Sequence, residues 1–313
     1  MKKLFDKIYI VLFIALCIIP FIGLLIFGPA KPSANEVLAT SPRFGLKMLD
    51  QTEDYVADRF FLRKQLATCW ARINADIFRT SAEDQVILGR NGWLYYNVFG
   101  RELSNDEIQQ CADRIIQLSD ECGRRGIDFI FTIAPNKDSI HGENMPYVMK
   151  NTNAERLGKV LTDNGINYVN LFDSGIEYFA TDSHWTSRGA ALACNKLIGT
   201  SYSEFPVEKQ HKGDLYEMLY PAGNKTETDY MVDFAHETEG NPNGGNAIEI
   251  HTSCAGREGR LKCYRDSFGI YLYPYLADNF AECTFLRSTD YSADDCDVLI
   301  IEIVERNIGD LIS

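Results

Sequence analysis

Two stretches of this chain are apolar almost throughout over the length of a strand: 127–134, and 296–302 with Val298, Leu299, Ile300 and Ile301 at its centre. A strand that buries one face alternates apolar with polar residues. One that is apolar at both parities belongs to a sheet covered on both faces, which is the usual condition of parallel sheets. The segments between agree with this. Ser104 and Glu107 have capping-box spacing for a helix to about Cys122, stopped by Gly123 and Gly126. Residues 153–163 and 186–197 read as helices, 167–171 and 260–265 as strands. Asn91-Gly92 between the apolar runs 86–88 and 93–96 reads as a hairpin turn. Alternating strands and helices predict an α/β domain with a mostly parallel sheet. Sites in such sheets lie at the C-terminal ends of the strands.

The N-terminus sets a second expectation. Lys2, Lys3 and Lys7 precede an uncharged apolar run from Ile8 to about Phe27. About 20 apolar residues match the ~30 Å hydrocarbon core of a bilayer, and lysines on the N-terminal side keep that end cytoplasmic. A cleaved signal peptide has a shorter core and a small-residue cleavage site, and Pro29 would fall beside the cut. The expected organisation is a cytoplasmic tail at 1–7, one transmembrane helix at 8–28, a linker and helical lead-in at 29–84, and a catalytic domain at 85–313. That domain would stand outside the cytoplasmic membrane. Within it, the polar, turn-rich stretch 200–258 reads as an insertion on the catalytic edge.

Composition excludes some classes. The chain has 31 Lys plus Arg against 44 Asp plus Glu, a net charge of −13, and no basic stripe, so a nucleic-acid role is disfavoured. Cys111 and Cys122 fall on one helix, about 16 Å apart at ~1.5 Å per residue, too far to bridge. Cys254 with Cys263 is the disulfide candidate. There is no CxxC pair and no zinc-type spacing among the five histidines, so neither a metal nor another cofactor is expected.

The chemistry lies in two short motifs. Asp182-Ser183-His184-Trp185 precedes a helix, and Asp266-Ser267-Phe268 follows a strand. Together they supply an acid, an imidazole and a hydroxyl. A serine becomes a competent nucleophile when a base takes its proton, and the base needs an acid to fix its tautomer. The expected roles are Ser267 as nucleophile, His184 as base and Asp182 as orienting acid. The alternatives are an N-cap serine and a surface or capping histidine. An acyl-transfer site also needs oxyanion donors. Ser267 offers its own N–H. Asn136 in Pro135-Asn136-Lys137 is the first candidate for the second, with Arg306 and Asn307 behind it. Lys137 could orient an acceptor or neutralise charge. Glu302 is expected to pair with Arg306 across an i,i+4 spacing.

The series Gly92-Trp93-Leu94, Pro135-Asn136-Lys137 with Met145-Pro146, Asp182-x-His184-Trp185-Thr186, Asp266-Ser267-Phe268 and Val304-Glu305-Arg306 resembles the SGNH-hydrolase-like proteins of alginate O-acetylation. This is the AlgX and AlgJ group, with the bacterial DHHW proteins. The resemblance covers about 85–313. It implies a flavodoxin-like α/β/α sandwich, a triad mapping to Asp182, His184 and Ser267, and acetyl transfer to an exported polysaccharide. It also implies a multi-pass MBOAT-class acyltransferase as donor partner. Ser183 stands where the DHHW pattern has histidine. Two other readings use the same residues: an extracytoplasmic carbohydrate acetylesterase, or a non-catalytic glycan-binding scaffold. The acidic balance fits poorly with a polyanionic acceptor.

Overall fold

The computed structural model describes residues 2–28, 38–173, 175–239 and 247–312. The start of the linker expected within 29–84 and part of the turn-rich stretch 200–258 lie outside these. The chain divides into two compact units: Met1–Glu83 with Tyr216–Asn224, and Asp84–Leu215 with Lys225–Ser313.

The first unit is helical, with α1 at Lys2–Phe27, α2 at Met48–Arg59 and α3 at Arg63–Ile73. Residues 74–78 extend α3 as a π-helical turn that ends at Arg79 in the left-handed region. Among the described residues, no helix is long and apolar enough to cross a membrane. This corrects the transmembrane helix expected at 8–28. A span needs about 20 consecutive apolar residues on one helix, and no helix among the described residues meets that measure.

The second unit carries the sheet. β1 (Val86–Leu88) and β2 (Leu94–Tyr96) form a hairpin in the register Val86↔Tyr96, turning through Asn91 and Gly92, both at positive φ. The helix α4 (Asn105–Arg125) starts at a complete Ser104/Glu107 capping box and ends at Gly126 with φ +72°, a left-handed cap that glycine adopts freely. Then follow β3 (Asp128–Ala134), α5 (Lys137–His141), α6 (Asn153–Asp163), β4 (Tyr168–Asn170) and α7 (Ser187–Ile198). The segment 200–258 contributes β5 (Val207–His211), α8 (Asp214–Leu219, within which the unit boundary falls), β6 (Glu227–Met231), β7 (Glu237–Glu239) and β8 (Glu249–Ser253). The chain closes with β9 (Arg260–Tyr264), α9 (Gly269–Ala277), β10 (Glu282–Leu286) and β11 (Val298–Val304).

The main sheet runs β4-β3-β11-β9-β10-β8-β7. The strands from β4 to β10 pair in parallel. β8 joins β10 antiparallel and β7 joins β8 antiparallel. The sheet is therefore mixed, not mostly parallel as expected. The reason is local: the antiparallel edge comes from the 200–258 segment, whose polar, turn-rich sequence makes short hairpins instead of helical crossovers. β3 and β11 are buried at both parities, with Phe131, Ile133, Leu299, Ile300 and Ile301 inaccessible or nearly so. Apolar side chains lie on both sides of them. One face packs Ile115, Leu157 and Leu161 of α4 and α6, the other Ala190, Ala193, Leu272 and Leu276 of α7 and α9. Cys254 and Cys263 are both free, buried thiols, so the disulfide candidate does not form here.

Candidate active site

β3, β11 and β9 are neighbours, and the loops that leave their C-terminal ends carry Asn136, Glu305–Asn307 and Asp266-Ser267-Phe268. Ser267 precedes α9 by two residues. Phe268, which has no side-chain acceptor, is the N-cap, so the serine hydroxyl is not used for capping. The turn is held by Asp266. Its carboxylate accepts from Phe268 N at 2.9 Å, from Val304 N at 2.6 Å and from Asn307 Nδ2 at 3.5 Å. Its own N–H donates to Glu302 Oε2 at 3.2 Å. Glu302 is buried, and burial followed by the Asp266 carboxylate pushes its acid well above the ordinary range.

Opposite this turn, His184 Nδ1 lies 2.7 Å from Asp182 Oδ1, which also accepts from His184 N at 2.9 Å. The second oxygen, Oδ2, meets His211 Nε2 at 2.7 Å and Asp214 N at 2.9 Å. Burial would raise Asp182, but the two imidazoles hold it well below the usual carboxylate value. Burial acts to lower His184, yet the hydrogen bond and charge of Asp182 leave it above the ordinary histidine value. His184 Nε2 is buried and has no hydrogen-bond partner among the described residues. An imidazole held at Nδ1 by a carboxylate presents Nε2 as the proton acceptor.

The two motifs meet through their aromatic residues. Trp185 Nε1 donates to Phe268 O at 3.1 Å, and the Phe268 ring lies 4.9 Å from the His184 ring, centroid to centroid. The arrangement puts the serine-bearing turn beside the imidazole.

Asn136 is buried. Its N–H donates to Glu305 Oε2 at 2.9 Å, and its Oδ1 accepts from Arg306 Nη1 at 3.3 Å. With the amide oxygen fixed this way, Nδ2 is the group left to donate. Arg306 lies over the Tyr96 and Phe268 rings, 5.3 Å from each centroid. It does not pair with Glu302: that residue is in strand β11, where i,i+4 side chains are not neighbours. Lys137 is not at the reacting edge either. Its Nζ donates to the carbonyls of Leu94, Ala180 and Asp182 at 2.6, 2.8 and 3.0 Å, under the rings of Trp93 and Tyr95. Burial pulls its pKa down to about 7, opposed by the carboxylates of Asp182, Glu227 and Asp214.

Residues 86–242 match the family model of the SGNH hydrolase-like domain of the acetyltransferase AlgX. The chain belongs to that family. The matched span includes Asn136, Asp182 and His184 and ends before Ser267. The chain is 22% identical over 227 residues to the probable alginate O-acetylase AlgJ of Pseudomonas aeruginosa, covering 63% of this chain and 58% of that protein. It spans about half, 51%, of the corresponding protein of Pseudomonas syringae. Among solved structures, Bacillus cereus PatB1 superposes with a TM-score of 0.55 at 18% identity, over 73% of this chain and 98% of that one. The O-acetyltransferase domain of Pseudomonas putida AlgJ gives a TM-score of 0.51 at 15% identity, over 72% and 92%. At these identities the structural likeness establishes the fold.

In this AlgX-family domain, Ser183 stands where the DHHW pattern has histidine, and it bonds to Asp214. Its hydroxyl donates to Asp214 Oδ2 at 2.6 Å and its N–H to Asp214 Oδ1 at 2.7 Å. Burial and then the nearby Asp182 carboxylate raise Asp214 above the usual value. Asp182, His184 and Asp214 present ligand atoms close enough to hold a cation. The His184 nitrogen of that cluster is Nδ1, which lies 2.7 Å from Asp182 Oδ1.

Sequence reasoning missed the insertion's part in this loop. Glu227 accepts from Ala180 N, Thr181 N and Thr181 Oγ1 at 2.7, 2.8 and 2.5 Å. Asp229 accepts from Ser187 N and Oγ at 3.0 and 2.6 Å. A Cβ on Gly213 would sit 2.2 Å from Thr181 O, so glycine there lets the His211–Asp214 segment close on the loop. One signal was available. Glu227 and Asp229 are two apart on a strand and therefore share a face.

Proposed function

We propose that the chain is an O-acetyltransferase that moves acetyl groups to an exported or cell-surface polysaccharide through an acetyl-Ser267 intermediate. The observation that carries this reading is the buried, unpartnered His184 Nε2, beside the serine-bearing turn and backed at Nδ1 by Asp182.

In the first half-reaction His184 Nε2 takes the Ser267 proton as Oγ adds to the acetyl carbonyl. The oxyanion is met by Ser267 N–H and Asn136 Nδ2, in a site where each donor matters by roughly 10²–10³ in rate. Collapse expels the donor's leaving group, which takes the proton from His184. In the second half a sugar hydroxyl gives its proton to His184 and attacks the acetyl-serine, restoring Ser267. Asp182 holds the tautomer and balances the imidazolium in both halves. The donor partner on this reading is a membrane acyltransferase of the MBOAT class. The carbohydrate acetylesterase uses the same steps with water in place of the sugar.

The test is intact-protein mass spectrometry after brief exposure to an activated acetyl ester, for wild type, Ser267→Ala and His184→Ala. One acetyl adduct on wild type alone is expected, discharged faster by oligosaccharide than by water. Adduct formation on Ser267→Ala would sink the mechanism. Indifference to oligosaccharide would favour the esterase.

A further inference from the structure

A cavity of about 900 Å³ lies on the β4 side of the catalytic edge, at the upper end of the size range of small-molecule sites. Asn136, Asp138 and Ser139 line it from the β3 loop and α5, Tyr168 and Asn170 from β4, and Glu305 from the loop after β11. Its far wall is α6, from Ala154 to Asp163. Asn136 and Glu305 thus belong to both the cavity and the candidate oxyanion corner. β3 and β9 are separated only by β11, a distance of about 10 Å at ~4.8 Å per strand.

The lining has a distinct chemistry. Phe99, Tyr168 and Phe172 give it aromatic surface. A Cβ on Gly158 would lie 2.6 Å from the Tyr168 ring, so the glycine in α6 is what lets that ring lie against the helix. Amides and hydroxyls come from Asn136, Asn151, Asn170, Ser139, Thr152 and Thr162. Five carboxylates line the cavity against two lysines; Lys159 is tied to Asp163 at 2.7 Å and Glu102 to Arg156 at 3.3 Å, so Asp138, Glu155 and Glu305 stand against Lys150.

We propose that this cavity is the acceptor subsite and that it takes an uncharged glycan, not a polyuronate. The inference rests on the acetyl-transfer reading above. Sugar rings offer apolar faces for the aromatic surface and hydroxyl donors for carboxylates, a charge-assisted bond. A uronate chain brings carboxylates, which the same lining repels. A glycan laid along α6 and β4 fills the cavity and meets Asn136, which the cavity shares with the candidate oxyanion corner.

The experiment is calorimetric titration of the full chain with a panel of uncharged tetrasaccharides (glucose, galactose, mannose and N-acetylhexosamine series) and with a mannuronate tetrasaccharide. At least one uncharged member is expected to bind about tenfold or more tighter than the uronate, with the gap narrowing as salt screens the repulsion. Tyr168→Ala should weaken the uncharged ligand about tenfold. Glu155→Arg, on the exposed face of α6 and without effect on the core, should weaken the uncharged ligand and strengthen the uronate. Tighter uronate binding in wild type overturns the inference, as does a panel in which no uncharged member binds. So does binding that neither substitution changes. Acetyl adduct formation on wild type is scored separately. Its loss with glycan binding intact would count against the transferase reading and not against the cavity.

Discussion

The two halves of the candidate site are built in different ways. The Ser267 turn is held through one side chain of its own motif: the Asp266 carboxylate accepts from Phe268 N and from Val304 N at the end of the adjacent strand. The Asp182–His184 loop is held as well by side chains from outside its motif. Glu227, His211 and Asp214 reach it from 29 to 47 residues away. A nucleophile needs only presentation at a strand end. A base needs a fixed tautomer, and that takes donors and acceptors on every side of a buried carboxylate. Asp182 accepts four hydrogen bonds, which is about the full capacity of its two oxygens.

If the contrast is real, the base side should break hardest when its acid changes. Asp182→Asn places an amide between two imidazoles that each need an acceptor, and kcat/KM should fall roughly 10⁴-fold while the acetyl-ester affinity changes little. Steady-state kinetics with an activated ester would read this. A loss below tenfold would mean that His184 does not depend on Asp182.

On the nucleophile side, Asn136→Ala should cost about 10²–10³ in kcat with the fold intact, since Glu305 keeps its bond to the backbone N–H at that position. An unchanged kcat would move the second oxyanion donor elsewhere.

The pH profile sharpens the comparison further. His184 acts as base only when neutral, and Asp182 holds its pKa above the ordinary histidine value. Activity should therefore rise with pH through a limb lying above about 6.5, falling tenfold per unit on the acid side. An acid limb set by a group well below pH 6 would show that a carboxyl, not this imidazole, controls the rate.

The smallest effect concerns the bracket around the loop. Glu227→Gln replaces an acceptor of three bonds by a group with one donor end, and should cost about 2 kcal/mol of stability, read as a lower midpoint in thermal unfolding.

Much of this was legible in the chain. The both-parity apolar runs of β3 and β11 announced a sheet covered on two faces. Ser104 and Glu107 marked the start of α4, whereas Gly123, read as a stop, lies inside the helix, which runs on to Gly126; the three loop positions at Asn136, Ser267 and Arg306 followed from strand ends alone. The failures have physical reasons. The antiparallel edge escaped because β7 and β8 are short and polar, with no periodicity to set their direction. The Glu302–Arg306 pair failed because helical spacing was applied where the chain is extended. His211, Glu227 and Asp229 escaped because long-range hydrogen bonding leaves no local pattern beyond a shared strand face. Lys137 was read by its charge, but its position was decided by three carbonyls.

On the acetyl-transfer reading, that last arrangement bears on how the protein survives the acyl group it would carry. Amines capture activated acetyl groups irreversibly on the timescale of turnover, and a lysine whose pKa sits near 7 would ordinarily be the first to be capped. Here the buried Nζ donates to three carbonyls, which leaves an incoming acyl group no open path to the nitrogen. On that reading the same contacts that join the hairpin to the base loop would guard against self-poisoning, and prolonged exposure to acetyl ester should leave Lys137 unmodified in peptide mapping while surface lysines accumulate label.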